Sequence, residues 1–255
     1  MEEMTMNKNS NSYQILYAAI MVLLVGTVLA FVYMALKPKQ DENIANDKRR
    51  QILSAIHVAA ANDGEVKTAY EKYITGDLLV DVEGNVADSA QNVAFDVDMK
   101  NNIKATDRKL PVFVATLDDG TKKYVIPVYG AGLWGPIWGY VAVNDDGKTI
   151  YGANFSHASE TPGLGARITD DPAFPASFEG KTLFKDGEFR CVEVMKRGQK
   201  PTNDADYVDA LSGATITSRG VSVMMEQCLT HYIAFFKKLQ SETLNKDTSH
   251  DIEEK

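Results

Sequence analysis

From residue 15 to residue 36 the chain is almost wholly apolar, and between Lys8 and Lys37 it carries no charge. A run of that length matches what a helix needs to cross a bilayer, and it exceeds the apolar stretch of a cleaved signal peptide. No small-x-small cleavage site precedes Lys37-Pro38. A single transmembrane helix is therefore expected over residues 13–36, held in membrane lipid, behind a short tail of residues 1–12. Lys8 and the terminal amine flank it on one side, and Lys37, Lys39, Lys48, Arg49 and Arg50 on the other. Taken alone, the positive-inside rule leaves the body of the chain in the cytoplasm.

Beyond the span, residues 41–61 alternate charges with Ile44, Ile52, Leu53 and Ile56, which predicts an amphipathic juxtamembrane helix and linker over residues 37–64 that stops at Asn62-Asp63-Gly64. A second short helix carries Val66, Tyr70 and Tyr73. Residues 109–151 read as an antiparallel meander, with Asp118-Asp119-Gly120 and Asp145-Asp146-Gly147 as its turns and strands at residues 124–129, 138–143 and 149–155. Residues 170–178 predict a short helix broken by Pro172 and Pro175, and residues 189–195 another strand. The last helix is expected over residues 220–239, with Val221, Met224, Met225, Cys228, Leu229, Tyr232, Ile233 and Phe236 on one face. The fold class is α+β: one body over residues 65–240, an antiparallel sheet with helices, then a flexible charged tail over residues 241–255.

The net charge of −8 and the lack of a Lys/Arg stripe exclude a nucleic-acid partner. Cys191 lies in an alternating strand and Cys228 on an apolar helix face, so buried free thiols are expected, although two cysteines outside the cytoplasm could also pair. His57, His157, His231 and His250 have no second ligand at metal spacing, and no metal site is expected.

Hydroxyls and small residues concentrate at Asp209-Ala210-Leu211-Ser212-Gly213-Ala214-Thr215-Ile216-Thr217-Ser218, just before the last helix. Gly213 and Ala214 let a bulky anion approach the backbone, where a helix start presents outward N–H groups. A phosphate would fit there; a plain Ser/Thr cap on a tight turn has the same composition. Two further loops stand out. Gly130-Ala131-Gly132-Leu133-Trp134-Gly135-Pro136 is too rich in glycine for an ordinary hairpin and displays Trp134, which could lie against a flat ring, whereas Trp138 suits core packing. His157-Ala158-Ser159-Glu160-Thr161-Pro162-Gly163-Leu164-Gly165 is held as a structured turn by its proline and glycines.

Asp-x-x-Ser-Gly-Ala-Thr resembles the attachment motif of proteins that carry FMN esterified through its phosphate to threonine, and Glu-Thr-Pro-Gly-Leu-Gly resembles the second motif of the same FMN-binding domain family. The order of span, tryptophan loop, Glu-Thr-Pro turn and Ser-Gly-Ala-Thr site is similar to the NqrC family, a flavin component of Na⁺-translocating NADH:quinone oxidoreductases. The resemblance implies covalent FMN on Thr215, with Asp209, Ser212, Gly213 and Ala214 as the flavinylation motif. It implies a ring pocket of Trp134, Glu160, Thr161, Gly163, Leu164 and Gly165. The activity implied is electron relay within a membrane translocase that reduces ubiquinone or menaquinone, with no catalytic residue in this chain alone. Its partners would be the other subunits and a flavin transferase that uses FAD and Mg²⁺. The implied location is the inner membrane, single-pass, with the body on the periplasmic side, contrary to the charge count; the resemblance is preferred.

The chain has no Gly-x-Gly-x-x-Gly after a strand for a dinucleotide and no cysteine cluster for an iron–sulfur centre. The equivalent flavin subunit of an Rnf complex is the alternative within the family. An anchored envelope hydrolase using Ser212 lacks the Gly-x-Ser-x-Gly elbow, and a non-redox binding module would hold no chromophore.

Overall fold

The computed structural model describes residues 10–253, with side chains described through Asn245, so residues 1–9 of the expected tail lie outside it. Helix α1, Asn11–Ala55, has a mean hydropathy of 2.7 over its most apolar 18 residues, long and apolar enough to cross a membrane. It is one helix through Pro38 rather than a span followed by a separate juxtamembrane helix. A proline removes one i→i−4 bond and leaves the rest of the ladder standing. The chain divides into two compact units between Asp47 and Lys48.

The second unit begins well before residue 65, because Ile52, Leu53, Ala55 and Ile56 are 0–1% exposed and belong to its core. Asn62-Asp63-Gly64, expected to stop a helix, instead starts one. In α2, Asp63–Tyr73, the Asn62 side chain accepts from the Glu65 N–H at 3.0 Å and caps the first turn.

The scaffold is a six-stranded antiparallel sheet of β1 (Ile74–Val80), β2 (Val86–Asp88), β3 (Leu110–Thr116), β4 (Lys122–Ala131), β5 (Pro136–Asn144) and β6 (Ile150–His157), in the order β2-β1-β3-β4-β5-β6. Strand periodicity sends alternate side chains to opposite faces. Val112, Ile126 and Val141 join the larger core, while Phe113, Val125 and Ala142 join the smaller one with Ile52, Leu53 and Ile56. Both expected Asp-Asp-Gly turns are present, with Gly120 at φ +81° and Gly147 at φ +63°.

The short helix α3, Met99–Asn102, precedes β3. The proline-broken helix of residues 170–178 is two short helices, α4 (Arg167–Asp170) and α5 (Ala173–Ala176). The strand expected at residues 189–195 is likewise divided. Strand β7 (Phe184–Lys185) pairs with β8 (Glu188–Phe189), and β9 (Glu193–Met195) runs parallel to β10 (Tyr207–Asp209).

Helix α6, Thr215–Leu229, begins five residues ahead of the expected start at Gly220 and continues through a 3₁₀ turn, Thr230–Tyr232, into α7, Ile233–Glu253. Its expected apolar face is the core face: Val221, Met224, Met225, Leu229 and Phe236 are 0–1% exposed. Of the segment expected to be a flexible tail, residues 241–253 continue α7, and residues 254–255 lie outside the described residues. Gln240 Nε2 donates to Gly147 O at 3.1 Å and Thr243 Oγ1 to Asp145 O at 2.9 Å, which fastens its first turns to the β5–β6 turn. Cys191 and Cys228 are buried free thiols, and burial pushes both thiol pKa values up.

Candidate functional site

Strand β10 delivers the chain to the hydroxyl-rich turn. Ala210 N donates to Met195 O at 2.7 Å, Leu211 N to Ser218 Oγ at 3.1 Å, and Ala214 N to Leu211 O at 3.0 Å. Gly213 makes the corner at φ +78°, a conformation other residues avoid. Ala214 is the N-cap of α6 and has no side-chain oxygen to accept from the helix. The first turn therefore has no capping side chain for its amides, which suits an anion. Thr215, the first helical residue, is exposed, as are Ser212 and Gly213.

Thr217 is 1% exposed, and its hydroxyl donates to Glu160 Oε2 at 2.7 Å. Glu160 is itself 4% exposed, and its other oxygen, Oε1, accepts from the Trp134 backbone N–H at 2.8 Å. Three chain segments thus meet on one carboxylate. Two glycines make room for it: a Cβ on Gly132 would come 2.4 Å from Glu160 Oε1, and one on Gly165 would come 2.2 Å from Oε2. His157 Nδ1 accepts from Glu160 N at 3.2 Å, and Ser159 Oγ donates to Trp134 O at 3.0 Å, so both neighbours of the turn brace the loops.

Around this buried centre the apolar groups face outward. Trp134 is 67% exposed, Leu133 47%, Leu164 45% and Ile216 62%, and together with Thr161 and Thr215 they border a cleft of about 260 Å³. Trp138 has the other fate: it is half-buried, and its indole N–H donates to Gln51 Oε1 at 2.9 Å. A second, wider cleft of about 1010 Å³ opens beside the same turn, bordered by Arg167, Lys181, Lys196 and Arg197 as well as Asp209, Ser212 and Thr215. Arg167 is held by Asp171 at 2.6 Å, and that contact lowers the Asp171 pKa.

The structure sorts the residues singled out in the sequence. Trp134, Thr161 and Leu164 border the apolar cleft; Asp209 and Ser212 border the cationic one; Thr215 and Gly213 border both. Gly163, at φ +74°, shapes the turn and borders neither. Glu160 and Gly165 also line the apolar cleft, but the Glu160 carboxylate is taken up by protein donors. Sequence reasoning missed Leu133, Ile216 and Thr217. Ile216 carried a usable signal, because it falls on the opposite side of α6 from the Val221–Met225 stripe and so cannot serve the core.

A flat aromatic ring fits an apolar cleft, and a phosphate fits the open helix start beside cations. The features define a flavin mononucleotide domain, and the profile of the FMN-binding domain family matches residues 132–230, which contain every site element just described. The chain is 31% identical over 235 residues to the NqrC component of the Na⁺-translocating NADH-quinone reductase of Vibrio anguillarum, covering 86% of this chain and 90% of that one. It is 34% identical to the corresponding component of Haemophilus ducreyi, covering 84% and 88%. The crystal structure of the same component from Parabacteroides distasonis superposes with a TM-score of 0.72 at 45% identity, over 79% of this chain and 96% of that one. The chain belongs to the NqrC family of the Na⁺-translocating NADH-quinone reductases.

Proposed function

We propose that this chain is the electron-relay subunit of a membrane Na⁺-translocating NADH:quinone oxidoreductase, anchored by α1, and that it carries FMN as a phosphoester on Thr215. The single observation that carries the reading is the position of that hydroxyl. It is exposed on the first residue of an uncapped helix, between an apolar cleft and a cationic one. FMN when bound supplies one- and two-electron redox chemistry. The residues of the chain supply position and environment. Trp134, Leu133, Leu164 and Ile216 give the ring apolar walls, and the first-turn amides of α6 with the neighbouring lysines and arginines offset the phosphate charge.

A threonine hydroxyl is a weak nucleophile at neutral pH, so attachment calls for a separate flavin transferase. The hydroxyl oxygen of Thr215 would attack the flavin-side phosphorus of Mg²⁺-bound FAD. The phosphoanhydride bond breaks, AMP leaves and the hydroxyl proton is released. Asp209, Ser212, Gly213 and Ala214 would form the segment that the transferase recognises. The other subunits of the complex are the electron partners, and the domain faces the periplasm.

Intact mass of the chain produced with and without its transferase tests the reading. A gain equal to FMN less one water, present only with the transferase and absent from Thr215→Ala, is the expected result. Covalent FMN persisting in Thr215→Ala overturns it.

A further inference from the structure

Glu160 lines the apolar cleft, but its carboxylate is turned into the protein and taken up by protein donors. It is 4% exposed, and each oxygen already accepts from a protein donor, Oε1 from Trp134 N at 2.8 Å and Oε2 from Thr217 Oγ1 at 2.7 Å. A buried carboxylate is costly unless its lone pairs are satisfied, so these two bonds specify where the three segments must be. Room for the group exists only because residues 132 and 165 lack a Cβ.

What it joins is informative. Trp134 is one wall of the cleft, and Leu164, the neighbour of Gly165, is another. Thr217 is two residues from Thr215, in the same first turn of α6. The walls come from loops more than twenty residues apart in sequence, and the attachment turn from a segment some fifty residues further on. Among the described residues, Glu160 is the side chain that hydrogen-bonds to both the tryptophan loop and the attachment turn.

We propose that Glu160 and Thr217 form a positioning clamp that fixes the distance between the tether at Thr215 and the aromatic wall at Trp134, so that a tethered ring is held in the cleft instead of swinging on its ribityl chain. The clamp rests on the reading that FMN is tethered at Thr215. Neither side chain takes part in the attachment, since the Thr217 hydroxyl and both carboxylate oxygens are engaged within the protein. Removing either partner frees the wall from the tether while leaving the acceptor hydroxyl intact.

Chemistry distinguishes two kinds of substitution. Glu160→Gln keeps both links, since the amide oxygen accepts from Trp134 N and the amide nitrogen donates to a Thr217 hydroxyl turned around. Thr217→Ser keeps the hydroxyl. Glu160→Ala and Thr217→Val break the clamp, and Thr217→Val does so without changing side-chain volume much.

The test uses full-length protein matured with its transferase. Each variant is assayed by intact mass for covalent FMN, by flavin fluorescence anisotropy for ring mobility, by redox titration for midpoint potential, and by thermal melting. Expected are full covalent FMN in all four, loss of the immobilised-ring anisotropy with a shifted midpoint in Glu160→Ala and Thr217→Val, and unsubstituted values in Glu160→Gln and Thr217→Ser. Should Glu160→Ala not fold, the Thr217 pair carries the comparison. A lowered melting temperature in Thr217→Val with anisotropy and midpoint unchanged would make the contact purely structural and overturn the clamp. Absence of covalent flavin from the unsubstituted matured protein overturns the tether reading itself, and the clamp with it.

Discussion

Thr215 and Thr217 stand two positions apart in the first turn of α6, yet one is exposed and the other is 1% exposed with its hydroxyl 2.7 Å from Glu160 Oε2. Two steps along a helix turn a side chain by about 200°, which separates an outward hydroxyl from an inward one. Replacing each by alanine should therefore have different consequences. Thr215→Ala is expected to lose covalent FMN and to alter stability by about 1 kcal/mol at most. Thr217→Ala is expected to retain covalent FMN and to lose roughly 1.5–3 kcal/mol, because a buried carboxylate is left short of a donor. Intact mass and denaturant midpoints read the two effects separately.

The outward apolar residues should tune the flavin and do little for folding. Trp134 is 67% exposed and Leu164 45%, so their alanine variants are expected to keep stability within about 0.5 kcal/mol. Each should shift the flavin midpoint potential or the semiquinone yield while leaving the covalent link intact. Unchanged redox titrations for both would deny them a place against the ring.

Gly213 and Gly163 both adopt positive φ, +78° and +74°, but only Gly213 has a crowded neighbour, with an added Cβ lying 2.9 Å from Leu164 Cδ2. Gly213→Ala and Gly163→Ala should each cost about 1–2 kcal/mol for the left-handed backbone. Only Gly213→Ala should also displace Leu164 and change the flavin absorption envelope. Chemical denaturation paired with visible spectra checks this.

Alkaline pH should destabilise the domain through buried tyrosines. Tyr232 donates to Pro111 O at 3.0 Å, and burial raises its pKa well above 10.0. Above pH 10 the unfolded chain releases that proton and the native chain keeps it, so the native state binds more protons and stability falls as pH rises. Below pH 10 the contribution is fully present. Tyr140 and Tyr70 are raised by the same desolvation and add to the slope. Denaturant midpoints from pH 8 to 11 should fall above 10, and less steeply in Tyr232→Phe.

Topology provides a further check on the periplasmic assignment. Protease added to intact spheroplasts should digest the domain, whereas inverted vesicles should protect it. The reverse pattern would mean that Lys37, Lys39, Lys48, Arg49 and Arg50 decide orientation.

Much of the scaffold was legible because its signals are local. The Asp-Asp-Gly turns at residues 118–120 and 145–147 and the stripe from Val221 to Phe236 each declare themselves within a few residues. Strand β1 did not. Gly76 and Asp77 are poor strand formers, and the segment becomes a strand by pairing with β3, where a Cβ on Gly76 would lie only 3.0 Å from Val114 Cβ. The start of α6 was hidden for a related reason: Ala214 offers no cap, so the usual marker of a helix beginning is missing. At the site, motif resemblance supplied Glu160, but nothing local indicated that its side chain turns inward. That orientation depends on Trp134 and Thr217, which lie 26 and 57 residues away.

The margins of the six-stranded sheet carry a consequence for life in a crowded assembly. On one side β2 is only three residues long. On the other, the beginning of β6 is already occupied: Ile150 N donates to Lys181 O and Gly180 N to Ile150 O, each at 2.9 Å, and His57 Nε2 lies 3.1 Å from Tyr151 O. Neither margin offers a long straight template on which a second chain could lay down a strand. Protection against edge-to-edge self-association is thus built into the outline of the sheet, and an anchored protein held at high local density in a two-dimensional layer gains most from it.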